Sequence, residues 1–374
     1  MKEEEQLYSL ALTRIPGLGL AGAHHLLEAI GSATTIFKEA HQLDSIAPGV
    51  SVRLKEALNC PDILRLCEAE LKFAEKNQIR CLTLQDEDYP SRLRECDDAP
   101  LVLFYRGNAD LNRLHVINMV GTRHATEYGK DICQRFLREL REMVPDVLVV
   151  SGLAYGIDIH AHRAALQFGL DTVAVLAHGL DRIYPAVHRH TAVEMLEHGG
   201  LLTEFPSGTN PDRQNFVKRN RIVAGISDAT IVIESAAKGG SLITADIAES
   251  YQRDVFAFPG RIGDEFSAGC NNLIRTNRAV LLQSAEELVK ALSWDTVVEK
   301  PKAIQRELFL DLTEEEEIIY NLLQKQENGM QINTLVVNAN IPINRITGIL
   351  FEMEMRGIIR ALAGGVYQIG RAHV

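Results

Sequence analysis

The chain has no CxxC pair. Cys60, Cys67, Cys81, Cys96, Cys133 and Cys270 are scattered singly, without the close spacing of a zinc site. They read as reduced thiols of a cytosolic protein rather than a disulfide framework. Long apolar runs are also missing, and none approaches the roughly 20 residues needed to cross a bilayer. Met1–Leu7 is acidic with no apolar h-region behind it, so no secretory signal is expected. Net positive charge is absent too. The 374 residues carry a formal charge of -11, with 12 basic against 18 acidic groups in 1–110, 22 against 24 in 111–310 and 5 against 8 in 311–374. That balance excludes a protein that coats duplex DNA with a broad basic face. Any site for a polyanion must be local.

One such place exists. Gln214–Ser227 reads QNFVKRNRIVAGIS, and from Arg213 to Arg221 there is no acidic residue. Lys218, Arg219 and Arg221 are expected to crowd the start of an apolar helix, where free N–H groups and the positive dipole end favour phosphate. The alternative is a solvated helix turn with ordinary salt bridges.

The pattern along the chain divides it into 1–60, a helical module; 61–293, the core; 294–311, a polar connector; and 312–374, a small C-terminal domain. In the first, Ile15-Pro16-Gly17-Leu18-Gly19 leads into a helix at Ala21–Ile30, and Ile46-Ala47-Pro48-Gly49-Val50 leads into Val52–Leu58. These resemble tandem helix-hairpin-helix units, whose hairpin glycines can expose N–H groups to a phosphate. A SAM-like module that only packs is the other reading. The core alternates short apolar strands with helical segments. Its strands are Val116–Val120, Val147–Val150, Thr172–Ala177, Ala229–Glu234, Val255–Phe258 and Ala279–Leu282, with Leu201–Thr203 weaker. Ile79–Leu84 and Leu101–Tyr105 precede them. Such alternation predicts an α/β protein with an extended Rossmann-like, doubly wound parallel sheet. Ligands of such sheets lie beyond the C-terminal strand ends. In 312–374, three helices and a Gly364-Gly365 hairpin predict a winged helix, its first helix capped by Thr313 with Glu316 in a capping box.

Four of the strand ends carry glycine-rich loops: Gly121-Thr122-Arg123, Ser151–Asp158, His178–Pro185 and Lys238–Ala245. The first lacks the GxGxxG of a dinucleotide site. Glycine admits close backbone approach, Thr122 offers a hydroxyl, and Arg123 can fork onto phosphate. Gly-Gly-Ser at 239–241, before a helix, is a further anion-binding arrangement.

At GTR 121–123, SGLAYGIDIHAH 151–162, HGLDRIYP 178–185, NFVKRNRIVAGIS 215–227, GGSLITA 239–245 and FAFPG 256–260 the chain strongly resembles the DNA-processing protein A family, also called DprA/Smf. The resemblance covers residues 80–292 in detail. It implies a protein that is not an enzyme and needs no cofactor. Such a protein would bind single-stranded DNA, act as a homodimer without a membrane, and help load the RecA recombinase onto incoming DNA in natural transformation. Carried over by position, Gly121, Thr122, Arg123, Ser151 and Gly152 shape the groove. Lys218, Arg219, Arg221 and Arg189 hold phosphates, Gly240 and Ser241 add donors, and Phe216 stacks a base or plugs the helix. Gly239 departs from a common serine, Val217 from proline, and Asn277-Arg278-Ala279 from Gly-Ala.

Three other readings compete. Asp158-Ile159-His160-Ala161-His162 has a metal-ligand spacing, but i and i+2 on a helix point apart. A nucleotide-processing enzyme of the lysine-decarboxylase-like (LOG) group would require a PGGxGT loop, which Lys238–Thr244 does not supply. The winged helix could read a major groove, but its third helix offers only Arg345 and Arg356 against Glu352 and Glu354. Protein interaction or a structural role suits it better.

Overall fold

The computed structural model describes residues 2–39, 56–296, 312–326, 329–362 and 364–369. The second hairpin at 46–50 and the connector at 297–311 lie outside them. The chain divides into two compact units at 297/298.

In the first unit, short β-branched runs form the strands β1 (Arg80–Thr83), β2 (Val102–Gly107), β3 (Val116–Val120), β4 (Leu148–Ser151), β5 (Thr172–Val175), β6 (Gly199–Thr203), β7 (Ala229–Val232), β8 (Asp254–Ala257) and β9 (Val280–Leu281). They make one sheet in the order β1-β2-β6-β5-β4-β3-β7-β8-β9. From β6 to β9 every pairing is parallel. β1 and β2 extend the sheet antiparallel beyond β6. This mixed edge departs from the all-parallel expectation because no crossover helix of the doubly wound kind joins β1 to β2. Strand order reverses between β3 and β7, the switch point of the fold.

The helices of this unit are α1 (Lys2–Leu12), α2 (Leu20–Ile30), α3 (Ala33–Lys38), α4 (Pro61–Lys76), α5 (Ser91–Arg94), α6 (Glu127–Met143), α7 (Ile157–Gln167), α8 (Arg189–Glu194), α9 (Arg213–Gly225), α10 (Gly240–Ser250), α11 (Ala268–Arg275) and α12 (Ala285–Ala291). Alternation along each strand feeds two cores, one per face. Val116 and Val120 pack with Leu148, Val150, Val173 and Val175 on one side. Ile117 and Met119 pack with Val149, Ile231, Phe136 and Leu140 on the other. α6 shows why such a helix docks: Ile132, Cys133, Phe136, Leu137 and Leu140 lie at helical spacing and are all buried. Full burial of each such large apolar side chain contributes about 1.5–3 kcal/mol. α1 to α4 close a third core against the outer face of β1 and β2.

The second unit has α13 (Glu314–Gln324), β10 (Met330–Gln331), α14 (Ile332–Ala339), α15 (Ile343–Met355), β11 (Ile359–Leu362) and β12 (Val366–Ile369), with the sheet order β10-β12-β11. The capping box at Thr313 and Glu316 is formed, and Ile319, Leu335, Ile346, Leu350 and Met353 make the core. Among the described residues, no helix is long and apolar enough to cross a membrane.

Candidate functional site

The parallel strands β3, β4, β5 and β7 all release their loops at one edge, so residues far apart in sequence meet there. The Gly121-Thr122 turn lies against β7 and α7. Thr122 N–H donates to Glu234 O at 2.7 Å, and Thr122 O accepts from Ile157 N–H at 3.1 Å. A β-carbon at Gly121 would press on Ile157. Gly156 has φ +77, and a β-carbon there would strike Thr122 O. Glycine at 156 therefore lets the β4 loop close on the β3 loop.

Glu234 settles where an anion can go. It is buried at the N-terminus of α6, where Thr126 N–H donates to its carboxylate at 2.9 Å and the Thr126 hydroxyl bonds it as well. Gly129 leaves room for the same carboxylate. This helix start follows the first βα turn beside the switch point, where a dinucleotide fold would seat a phosphate. Here the protein's own carboxylate fills it.

Two other helix starts are free of such a carboxylate in their first turns. α10 begins at Gly240 with no side-chain cap, and Gly240 has open space where a β-carbon would stand. Ser241 is buried and donates to the Ser235 hydroxyl at 2.9 Å, which anchors the turn rather than facing outward. α9 has no acidic residue in its first turn, and the carboxylate of its N-cap Asp212 makes no capping bond.

The start of α9 revises the basic cluster. The helix begins at Arg213, so Lys218, Arg219 and Arg221 lie in its interior. At about 100° per residue Arg219 turns away from Lys218, whereas Lys218 and Arg221, three positions apart, share a face. Lys218 is exposed. Arg219 is only 4% exposed and turns inward, 3.8 Å from Asp158 Oδ2. Arg221 pairs with Glu204 and the Asp98 carbonyl. Burial governs the inward pair, lowering the Arg219 pKa and raising that of Asp158 against their mutual attraction. Gly152 packs on Arg219 so tightly that a β-carbon would overlap the guanidinium. Ser151 is fully buried and donates to Met119 O at 2.6 Å. Thus Ser151, Gly152 and Arg219 form the floor, whereas Arg123 and Lys218 face outward.

Phe216 is half-buried between two guanidinium groups, with Arg123 at 5.2 Å and Arg219 at 5.9 Å from its centroid. Tyr184 meets it edge-on at 6.2 Å. Half-buried in this way, the ring both packs under its neighbours and keeps a face for outward contact. Arg189 lies beside the β5 loop, whose residues 180–183 share its cavity. It lines a cavity of about 280 Å³ with Phe73, Arg106, Arg182 and Leu196 on a flank of the sheet.

Several cations elsewhere are committed: Arg92 to Asp228, Arg113 to Asp171, Arg253 to Glu95, and Arg278 to Asp246 and Glu249. Among the described residues, no ion pair engages Arg123, Arg213, Lys218 or Lys238, all exposed. His160 and His162 do not converge. His162 is fully buried, its Nδ1 2.7 Å from Thr172 Oγ1, and burial holds its imidazole down at about 3. Sequence reasoning missed Glu234, which it placed only at the end of the strand Ala229–Glu234, and Tyr184, although the latter lies in the HGLDRIYP motif.

Relatives share this layout. The family model for DNA recombination-mediator protein A matches residues 80–293. Protein Smf of Synechocystis is 30% identical across 98% of this chain and 100% of its own length. DNA processing protein DprA of Streptococcus pneumoniae is 39% identical across 55% of this chain and 72% of its own. A crystal structure of the pneumococcal protein superposes with TM-score 0.56 at 30% identity, over 73% of this chain and 97% of that one. DNA processing protein A from Helicobacter pylori, solved to describe its single-stranded DNA binding mode, gives TM-score 0.52 at 29% identity over 58% and 96%. With the family model spanning most of the core and the Synechocystis relative nearly the whole chain, this chain belongs to the DNA recombination-mediator protein A (DprA/Smf) family.

Proposed function

We propose that the protein binds single-stranded DNA along the strand-end edge, protects the incoming strand and assists loading of the RecA recombinase during DNA uptake. It acts in the cytoplasm as a homodimer and catalyses no reaction. The observation that carries this reading is the set of exposed, uncommitted cations Arg123, Arg213, Lys218 and Lys238 on one edge of an acidic protein. With the free start of α10 they offer a narrow track for a phosphate backbone. Arg219 and Arg221 act through position, Arg219 supporting Phe216 and Arg221 tying α9 to Glu204. Phe216 stacks a base. The description of the Helicobacter relative supports a single strand as the ligand.

The nucleotide-enzyme alternative gains nothing from the geometry. Glu249, the carboxylate on the helix after Lys238–Thr244, is bound to Arg278 at 2.6 Å on the outer side of α10. We read 312–374 as a winged helix that faces protein rather than duplex. Arg345 of its α15 is spent on Glu315 at 3.1 Å, and Arg356, the C-cap of that helix, on Glu316 at 2.8 Å. Ile343, Phe351 and Met355 stay exposed along the same helix.

Fluorescence anisotropy of a labelled single strand across a salt series tests the track. Each phosphate contact contributes about 0.7 to the slope of log K against log salt on single strands. Arg123→Ala/Lys218→Ala should therefore lower the slope by about 1.4. A wild-type slope near zero, or an unchanged slope in the double variant, would refute the track.

A further inference from the structure

Phosphate contacts alone distinguish single strands from duplex poorly, because both present phosphates. What a single strand adds is the open face of each base. Groups that decide between the two must meet those faces.

Two tyrosines are built for this. Tyr155 and Tyr184 are 49% and 46% exposed, on the β4 and β5 loops of the same edge. Tyr89, Tyr105, Tyr128 and Tyr251 each donate the hydroxyl to a protein oxygen. Among the described residues, Tyr155 and Tyr184 have no such bond, so their hydroxyls do not explain their placement. Both rings are nevertheless held. Tyr155 stands edge-on to His188 at 5.1 Å, and His188 Nδ1 is 2.8 Å from Leu153 O. Its loop is pinned to Thr122 through Gly156 and Ile157. Tyr184 N–H donates to His178 Nε2 at 3.2 Å, and the buried His178 bonds Gly179 O through Nδ1 at 2.9 Å. The Tyr184 ring continues from Phe216, over which Arg123 lies. Rigid turns thus carry half-exposed rings next to the phosphate track, at little entropic cost on binding.

We infer that Tyr155 and Tyr184 form a base-stacking platform beside Phe216, and that this platform, rather than the cations, gives the site its selectivity for single-stranded over duplex DNA. The inference rests on the single-strand reading above and assigns the selectivity to named side chains. Stacking on an aromatic ring is worth about 1–3 kcal/mol per base, which corresponds to about 5- to 140-fold in affinity.

The test compares three labelled probes on the full chain: oligothymidylate, an abasic strand of the same length, and a duplex. Tyr155→Ala and Tyr184→Ala should each weaken oligothymidylate binding about 5- to 140-fold. Abasic and duplex binding should stay level, so the single-strand preference shrinks. Tyr155→Phe and Tyr184→Phe, which keep the π face, should restore it. Equal losses on all three probes would mean that the rings only shape the loops, and no loss on any would mean that bases do not reach them. Either overturns the platform. Wild-type protein that binds the abasic strand as tightly as oligothymidylate, yet still prefers both to duplex, would overturn it while leaving the single-strand reading standing. Wild-type protein with no preference over duplex would sink the single-strand reading itself.

Discussion

Gly152→Ala isolates the floor of the site. The backbone at Gly152 is ordinary, outside the left-handed region, so the only obstacle to a side chain is space. A β-carbon there would overlap the Arg219 guanidinium. Arg219 is 4% exposed and packed under Phe216, and its displacement separates it from Asp158. Breaking a buried ion pair costs about 3–5 kcal/mol. Alanine in place of glycine returns about 0.4–1 kcal/mol by restricting the unfolded chain. The net loss is about 2–4.5 kcal/mol, or a fall in melting temperature of roughly 4–18 °C for a unit of this size. Thermal denaturation followed by circular dichroism measures it. The decisive comparison repeats Gly152→Ala in an Arg219→Met background, where the overlap with the guanidinium is gone. There the substitution should be neutral or stabilising by up to about 1 kcal/mol. A melting temperature within error of wild type, or the same loss in both backgrounds, would refute the account.

Other perturbations probe separate parts. His162 is buried and held neutral, its imidazole lowered to about 3 by burial, whereas the unfolded chain titrates it near 6.5. The unfolded state therefore binds the extra proton between those values, and stability is lost as pH falls below about 6.5, by about 1.4 kcal/mol per unit for one proton. Denaturant titrations of wild type and His162→Gln across this range should differ in slope by up to one proton, and parallel curves would exclude the linkage. In the second unit, Glu316 accepts from Thr313 N–H at 2.8 Å and pairs with Arg356 at 2.8 Å. Burial raises its carboxyl pKa, but these bonds outweigh burial and hold it below the ordinary value. Its stabilisation is thus present above the unfolded pKa and lost as pH falls through the folded one. Glu316→Gln should destabilise this unit by about 1–3 kcal/mol near neutral pH and by less in acid. A pH-independent difference in the second transition would argue against the charge.

Local pattern carried much of this protein. The alternation of apolar strands with helical segments set the doubly wound sheet, because each strand's burial on both faces imposes an unbroken apolar run. Gly121, Gly152 and Gly156 marked the strand-end loops, since only glycine admits the close approaches found there. The capping box at Thr313 was legible for the same reason, its partners lying three residues apart. Tertiary structure decided which way the functional groups face. The basic cluster reads as one patch in sequence. The earlier start of α9 fixes the rotation of each residue and turns Arg219 and Arg221 toward Asp158 and Glu204. The carboxylate that closes the start of α6 comes from Glu234, 108 positions from Thr126, a separation that no local motif records. Likewise Tyr155, Tyr184 and Phe216 share an edge only because parallel strands deliver successive loops to one end of the sheet. Periodicity is a property of neighbours in the chain, whereas a site depends on side-chain direction and on partners supplied by distant strands.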